Sequence, residues 1–173
     1  EQLYRDIRVN SIYEGTTTIH GMDLLGRKML MHNGKAAALL NDEIQRTIGE
    51  ALSVAALKPY ADQLIRYGGQ FQQVTGHLVQ LATTKSPEVF LADATLYLYY
   101  TSYIVLAWQW LKQALVAQAA LDEGASGVEA DFYRGKLNTC RYFYAYELPQ
   151  TLGLRKRLLD EDKVSLEMPA EQF

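Results

Sequence analysis

The sequence has little cysteine and no excess of charge of one sign, and each shortage excludes a class of protein. One cysteine among 173 residues leaves no internal disulfide and no cysteine cluster for zinc. Lys and Arg number 17 and Asp and Glu 20, so the net charge is −3. This balance gives no electrostatic reason to bind nucleic acid or an anionic membrane. With 49% hydrophobic and 21% charged residues, the composition predicts a soluble domain with an ordinary core.

Proline is also scarce, with four residues, and no useful stretch alternates apolar and polar residues as a half-buried strand does. Long uninterrupted runs of helical period remain. They predict an all-α fold, an antiparallel up-and-down helical bundle of four long helices plus an N-terminal helical segment. The four helices are expected over about 35–58, 60–83, 87–123 and 128–159.

Short signals mark where helices begin, end or bend. His32-Asn33-Gly34 is a stop, because Asn and Gly tolerate the left-handed conformation that ends helices. The helix before it should begin near Thr17 or Thr18, with a Thr hydroxyl as its cap. Ser86-Pro87-Glu88 combines a capping hydroxyl, a first-turn proline and an acid, which indicates a helix start. Pro149 should kink the last helix.

Apolar residues at helical spacing predict the buried faces. The seam over 60–81 alternates spacings of four and three without a break, which is typical of packing along a neighbouring helix. Gly68-Gly69 in its middle should be compensated by close approach of another helix or by a kink. Ala94 to Leu111 is uncharged, but its Thr, Ser and Gln residues favour a buried central helix over a membrane span. The stripes expected inside are Leu40, Ile44, Ile48, Leu52 and Ala55; Tyr60, Leu64, Tyr67, Phe71, Val74, Leu78 and Leu81; and Tyr133, Leu137, Cys140, Tyr144, Leu148 and Leu152.

Glu14 is the candidate catalytic residue. It lies beside a glycine in a loop expected at 12–17, just before a helical pattern. On spacing alone, a single Glu in a loop is usually a solvated charge or a helix cap. Taken with Arg5-Asp6 upstream and Gly26-Arg27-Lys28 downstream, however, the run Tyr13-Glu14-Gly15-Thr16 resembles the active-site segment of the acyl-CoA dehydrogenases.

The resemblance implies a role for each residue of this segment. Glu14 matches the base that removes the α proton of an acyl-CoA, and Tyr13 matches a position that lines the acyl pocket. Gly15 lets the backbone approach the substrate. Thr16 matches a position that contacts the nucleotide half of FAD, the implied cofactor. Thr18 stands where many members carry a Gln that touches the cofactor. The sequence departs from the family pattern at this position, so the implied cofactor contact of Thr18 is weaker than that of Thr16.

A carboxylate suits that proton abstraction, because a dry pocket raises the pKa of a carboxyl and makes it a stronger base. The thioester oxygen gains negative charge and needs donors placed in advance. The resemblance implies two donors, the backbone N–H of Glu14 and a hydroxyl of the flavin.

The other reactive side chains carry no predicted chemistry. His32 and His77 are far apart and lack ligand-like partners, so no metal is expected. His20 is interpreted as a surface or packing residue, and Cys140 as part of the core. The basic run 155–157 is expected to be a solvated helix end.

The resemblance is strong over about 4–31 and general beyond. It divides the chain into the end of a dehydrogenase C-terminal bundle with the active-site loop (1–33), an appended helical bundle (34–160) and a loose tail (161–173). Because the chain opens at Glu1, close to the motif, we expect the C-terminal part of a longer enzyme. The pattern is similar to a bacterial subgroup with an appended helical domain, which includes methylthiopropanoyl-CoA dehydrogenase-like enzymes. This part alone should hold no FAD and be inactive.

The implied activity is oxidation of an acyl-CoA to a 2-enoyl-CoA in the cytoplasm. Electron-transferring flavoprotein is the implied acceptor, and a homo-oligomer without nucleic acid or a membrane span is expected. Two alternatives stay open: a non-catalytic helical module for subunit contact, and a DNA-binding homologue of the alkylation-response type. The acidic composition argues against the DNA-binding homologue.

Overall fold

A computed structural model describes residues 1–172, and within them every regular element is helical, which confirms the all-α prediction. The helices are α1 (Gln2–Ile7), α2 (Thr17–Asp23), α3 (Met31–Leu52), α4 (Lys58–Thr84), α5 (Pro87–Leu91), α6 (Ala94–Asp122), α7 (Gly127–Tyr142), α8 (Thr151–Leu158) and α9 (Val164–Glu167). Two π-helical turns, Leu24–Lys28 and Phe143–Glu147, and three 3₁₀ turns, Arg8–Ser11, Leu148–Gln150 and Ala170–Gln172, join them.

The predicted stop at residues 32–34 is confirmed by the backbone. His32, Asn33 and Gly34 have φ angles of 50°, 57° and 80°, so three left-handed residues in succession kink the start of α3. The expected end near residue 58 is wrong, because α3 ends at Leu52. Ser53 Oγ donates a 2.6 Å hydrogen bond to the Glu50 carbonyl, which competes with continued helix.

The predicted single helix over 87–123 is wrong at one point. Its start is confirmed, since the Val89 N–H donates to Ser86 Oγ at 3.4 Å. A turn at residues 92–93 then separates α5 from α6. Asp93, the residue before α6, directs its carboxylate to Lys163 (2.7 Å) and Arg157 (3.3 Å). These partners lie 64 or more residues away, so local sequence pattern does not register them.

The last helix is interrupted close to Pro149, by the π turn Phe143–Glu147 and then by the 3₁₀ turn that contains the proline. This interruption shifts the buried stripe. Cys140, Tyr144 and Leu148 are buried as predicted, but Leu152 is 51% exposed and Thr151 faces the core in its place. The π turn accommodates an extra residue, which rotates everything after it around the helix axis.

Helix α6 lies at the centre of the packing and contacts α2, α3, α4, α7 and α8. One core cluster joins α3, α4, α6 and α7 around Leu64, Trp108 and Tyr144. A second joins α4, α5, α6 and α8 around Val74 and Tyr97. The up-and-down order of the bundle stays a prediction.

The burial predicted for the α4 seam is confirmed at all seven positions, five of them fully buried and Tyr60 and Phe71 partly so. The stripe predicted for α3 is only partly correct. Ile48 is buried and Ile44 partly buried, but Leu40 and Leu52 are 37% and 36% exposed. Ala55, which the sequence placed on the same face, lies in the connection after α3 and is exposed.

The burial expected for 94–111 holds for one face of α6, whereas Tyr99 and Leu106 on the other face are 46% and 47% exposed. Among residues 1–172, we find no helix with the length and apolar content that a membrane crossing requires.

Two expectations, one about α4 and one about the basic run at the end of α8, are only partly met. Outside the neighbouring turns of α4 itself, no atom lies within 4 Å of where a Cβ would stand on Gly68 or Gly69, so close approach of another helix does not explain the pair. The run 155–157 is not only solvated: Arg155 donates to Gln73 Oε1 at 2.7 Å, and Arg157 pairs with Asp93.

Lys163 shows that the segment after α8 is attached to the bundle. It is 4% exposed, and its ammonium donates to Asp93 Oδ2 at 2.7 Å and to the Asp160 carbonyl at 2.9 Å. Arg157 adds a hydrogen bond to the Asp162 carbonyl. The sequence predicted none of these contacts, and looseness of the remaining tail stays a prediction.

Candidate functional site

The segment that carries Glu14 lies outside the core. None of residues 1–20 is buried, and the first buried residue along the chain is Gly21 in α2. Many apolar side chains of this segment are exposed to solvent. Those most exposed are Leu3, Tyr4, Ile7, Ile12, Tyr13 and Ile19, each more than half exposed.

The Glu14 carboxylate caps α2. The backbone N–H of Thr17 donates to Glu14 Oε1 at 2.7 Å, which satisfies one of the free donors at the helix start. The sequence predicted a Thr hydroxyl in this role, and that prediction is wrong. The side chain of Thr16, the N-cap residue, makes no hydrogen bond to the helix backbone. The hydroxyl of Thr16 instead lies 3.4 Å from Nε2 of His20.

These bonds favour the ionised form of Glu14. Hydrogen bonds from Thr17 foremost, then from the backbone of Gly15, hold the pKa of the Glu14 carboxyl below its ordinary value, and the nearby His20 adds to the effect. A base in a dry pocket needs the opposite shift. The described residues therefore position Glu14 at a helix start but do not by themselves supply the desolvation that raises its basicity.

The other predicted site residues lie around Glu14 on the surface. The Tyr13 side chain is 69% exposed, and the space beside Gly15 is open for at least 4 Å. The hydroxyl of Thr18 accepts a 3.5 Å hydrogen bond from Thr95 of α6, so Thr18 lies against the bundle. Exposed hydroxyls at a helix start fit a contact along one edge of a nucleotide. They do not enclose the ring of a flavin, which needs walls on both faces.

Gly21 joins the segment to the bundle. A Cβ on this residue would lie 2.7 Å from the carbonyl oxygen of Ala94 and 2.9 Å from the backbone nitrogen of Thr95. The helices α2 and α6 can therefore approach this closely only with glycine here. Sequence reasoning missed this contact; a glycine inside a short helical pattern was the available signal.

The remaining candidates carry no chemistry in the structure. Cys140 is fully buried, and burial raises the pKa of its thiol to about 12. Within residues 1–172, His, Cys, Asp and Glu side chains form no group of three that could hold a metal ion. An apolar groove does open between α3, α4 and α6, and Leu40, Ile44 and Gly68 are among the residues that line it.

Comparison with known proteins agrees with the motif. Residues 40–169 match the family described as "Acetyl-CoA dehydrogenase C-terminal like". The chain is 33% identical over 178 residues to "Broad-specificity linear acyl-CoA dehydrogenase FadE5" of Mycobacterium tuberculosis, a match covering 98% of this chain and 29% of the relative. It is 34% identical over 160 residues to "3-methylmercaptopropionyl-CoA dehydrogenase" of Ruegeria pomeroyi, covering 92% and 26%.

A more distant relative is a "Butyryl-CoA dehydrogenase" of Syntrophomonas wolfei, 26% identical over 182 residues with 99% of this chain and 28% of the relative covered. The chain thus spans less than a third of the length of each of these curated relatives. Its matches include both the segment around Glu14 and the helices after it. The chain belongs to the acyl-CoA dehydrogenase family, and its residues 40–169 are the C-terminal domain of that family.

Proposed function

We propose that this chain is the C-terminal part of an FAD-dependent acyl-CoA dehydrogenase that oxidises an acyl-CoA to a 2-enoyl-CoA, with Glu14 as the base. The observation that carries the proposal is the place of the Tyr13-to-Thr16 run. It ends at the start of α2 and is exposed, in a chain of this family. The names of the relatives support an acyl-CoA as substrate.

In this mechanism Glu14 takes the α proton of the acyl-CoA onto a carboxylate oxygen, and the electron pair of that C–H bond forms the new double bond. The FAD supplies the acceptor for the hydride that leaves the β carbon. The backbone N–H of Glu14 donates to the thioester oxygen, whose negative charge grows as the proton leaves. Tyr13 packs along the acyl chain, and the open side of Gly15 lets the substrate approach the backbone.

Thr16 and Thr18 would hold one edge of the FAD through their hydroxyls. Walls for its ring and for the dry pocket would come from parts of the enzyme beyond these residues, as would the rise in pKa that Glu14 needs. The exposed apolar side chains of residues 1–20 suit burial against such walls. The isolated 173-residue chain should therefore bind no stoichiometric FAD and show no dehydrogenase activity.

Further partners follow from the same proposal. Electron-transferring flavoprotein is the proposed acceptor of electrons, the enzyme is a homo-oligomer, and it works in the cytoplasm. The apolar surface of the N-terminal segment also favours a second candidate, a helical module whose task is contact with other subunits. In that case Glu14 would matter only as a helix cap.

The substitution Glu14→Gln in the full-length enzyme separates these two functions. Gln keeps the shape but cannot accept the proton, so the rate of flavin reduction should fall by at least about 10²–10⁴ while flavin content stays unchanged. The measurement is anaerobic bleaching of the flavin by a panel of acyl-CoA substrates. Glu88→Gln is the matched control, because Glu88 is another exposed helix-start carboxyl whose pKa is lowered by hydrogen bonds. Bleaching of the Glu14→Gln enzyme at the wild-type rate would leave the contact module as the better function.

A further inference from the structure

We infer that Gly21 is a positioning residue for Glu14, through which the helical bundle sets the orientation of the catalytic segment. The inference rests on the proposed role of Glu14 as the base. It assigns the bundle a part in the reaction that goes beyond a structural appendage.

The burial pattern shows where the segment is held. No residue ahead of Gly21 is buried, whereas Gly21 lies against the first turn of α6 and Leu25, one turn later, is fully buried in the core. Within the chain, then, the direction of α2 is set where Gly21 meets α6.

The contact at Gly21 is with backbone, which cannot move aside as a side chain can. The three atoms nearest to a Cβ placed there are the Ala94 carbonyl oxygen (2.7 Å), the Ala94 carbonyl carbon (2.8 Å) and the Thr95 nitrogen (2.9 Å). Gly26 makes a useful contrast, since a Cβ there would meet only the flexible end of Leu91, at 3.3 Å.

The start of α6 is itself fixed. Asp93 directly precedes it and is paired with Lys163 at 2.7 Å and with Arg157 at 3.3 Å. A methyl group on Gly21 would therefore push α2 outward and leave α6 in place. The hydrogen bond between Thr95 and Thr18 lies at the same contact and would be lost with it.

The displacement reaches the base over a short path. Thr17 lies four residues before Gly21, about 6 Å along the same helix. Its N–H holds the Glu14 carboxylate at 2.7 Å. Glu14 itself lies in the loop before α2, so a shift of α2 by about 1 Å relative to this loop would stretch the Thr17 hydrogen bond and release the carboxylate from its position. A misplacement of this size can cost about 10²-fold in rate.

The test is Gly21→Ala in the full-length enzyme, with Gly26→Ala and Gly76→Ala as matched controls; Gly76 has no atom within 4 Å of a Cβ position. We expect kcat to fall by about 10- to 100-fold with flavin content and KM little changed. Loss of the Thr17 hydrogen bond should also move the acid limb of the kcat/KM profile to higher pH, because that bond lowers the pKa of the base. The controls should keep both the rate and the profile.

The outcomes separate this inference from the proposed function. If Glu14→Gln is inactive but Gly21→Ala retains kcat and the acid limb of wild type, the positioning role is wrong and the base assignment stands. If Glu14→Gln is active, the proposed function itself fails. If Gly21→Ala does not fold, Thr95→Val tests the same contact by removing only the bond to Thr18. It should lower kcat and shift the acid limb in the same direction, and a wild-type profile would overturn the inference.

Discussion

Asp93 should be the most important charged residue for the stability of this chain. Its side chain is 13% exposed, and it faces Lys163, whose side chain is 5% exposed, at 2.7 Å. The substitution Asp93→Asn keeps the shape and removes the charge, so the Lys163 ammonium would remain buried with neutral acceptors, the Asn oxygen and the Asp160 carbonyl, in place of its ion pair with Asp93. Breaking a buried ion pair in this way costs about 3–5 kcal/mol.

We expect a loss near the lower end, about 3 kcal/mol, because Asn can still accept one hydrogen bond and Arg157, 33% exposed, can turn to water. For a chain of this size the loss corresponds to a fall in Tm of roughly 6–12 °C. Urea unfolding of the 173-residue chain, followed by the fluorescence of Trp108 and Trp110, measures it. Trp108 reports the core, since its indole N–H donates to Thr47 Oγ1 at 2.8 Å.

Asp62→Asn is the matched control. Asp62 pairs with Lys58 at 3.4 Å, but both side chains are more than half exposed, so the loss there should stay below about 0.5 kcal/mol. Adding Lys163→Met to Asp93→Asn should recover part of the stability, because it removes the uncompensated charge. A loss for Asp93→Asn no larger than for Asp62→Asn would refute the reasoning.

Two further predictions concern titration. Cys140 is fully buried with a pKa raised to about 12, so a thiol reagent at pH 8 should label it only after denaturation; rapid labelling of the folded chain would contradict this. The carboxyls of Glu14, Asp23 and Asp160 have pKa values below their ordinary 4.5 or 3.8, through hydrogen bonds from Thr17, from Arg27 and from the Asp162 backbone in turn. The stability that these carboxyls contribute is therefore present when the pH is above those ordinary pKa values and is lost as the pH falls below them. The midpoint of urea unfolding should decline steadily as the pH is lowered from 6 into the acid range. Midpoints that do not change with pH over this range would mean that these carboxyls are not bonded as described.

Local signals predicted the helices well where the cause is local. The α4 seam, the left-handed stop at Asn33 and Gly34, the Ser86 cap and the interruption close to Pro149 depend on residues within a turn or two of one another. The interruption at Asp93 depends on partners 64 and 70 residues away, and the contact of Gly21 depends on α6, so no window of sequence contains either cause. Gly68 and Gly69 had a local signal, but the structure offers no contact that explains them.

In the candidate site, too, local sequence predicted some features and left others undetermined. Glu14 was proposed because the run 13–16, together with Arg5-Asp6 and Gly26-Arg27-Lys28, resembles a family segment, and not because its surroundings could be deduced. That its carboxylate would accept from the Thr17 N–H, while the Thr16 hydroxyl lies beside His20, depends on the conformation of the loop before α2, which the sequence pattern does not give.

The π turn Phe143–Glu147 has a consequence for how this domain can vary in length. One residue of an α-helix corresponds to a rotation of about 100°. Deleting a single residue from this turn would therefore rotate α8 about its helix axis. Arg155 and Arg157 would then point away from Gln73 and Asp93. Homologues that are one residue shorter in this turn must attach their C-terminal segment to the bundle through other side chains. The length of the turn and the identity of the residues that make these contacts should therefore change together.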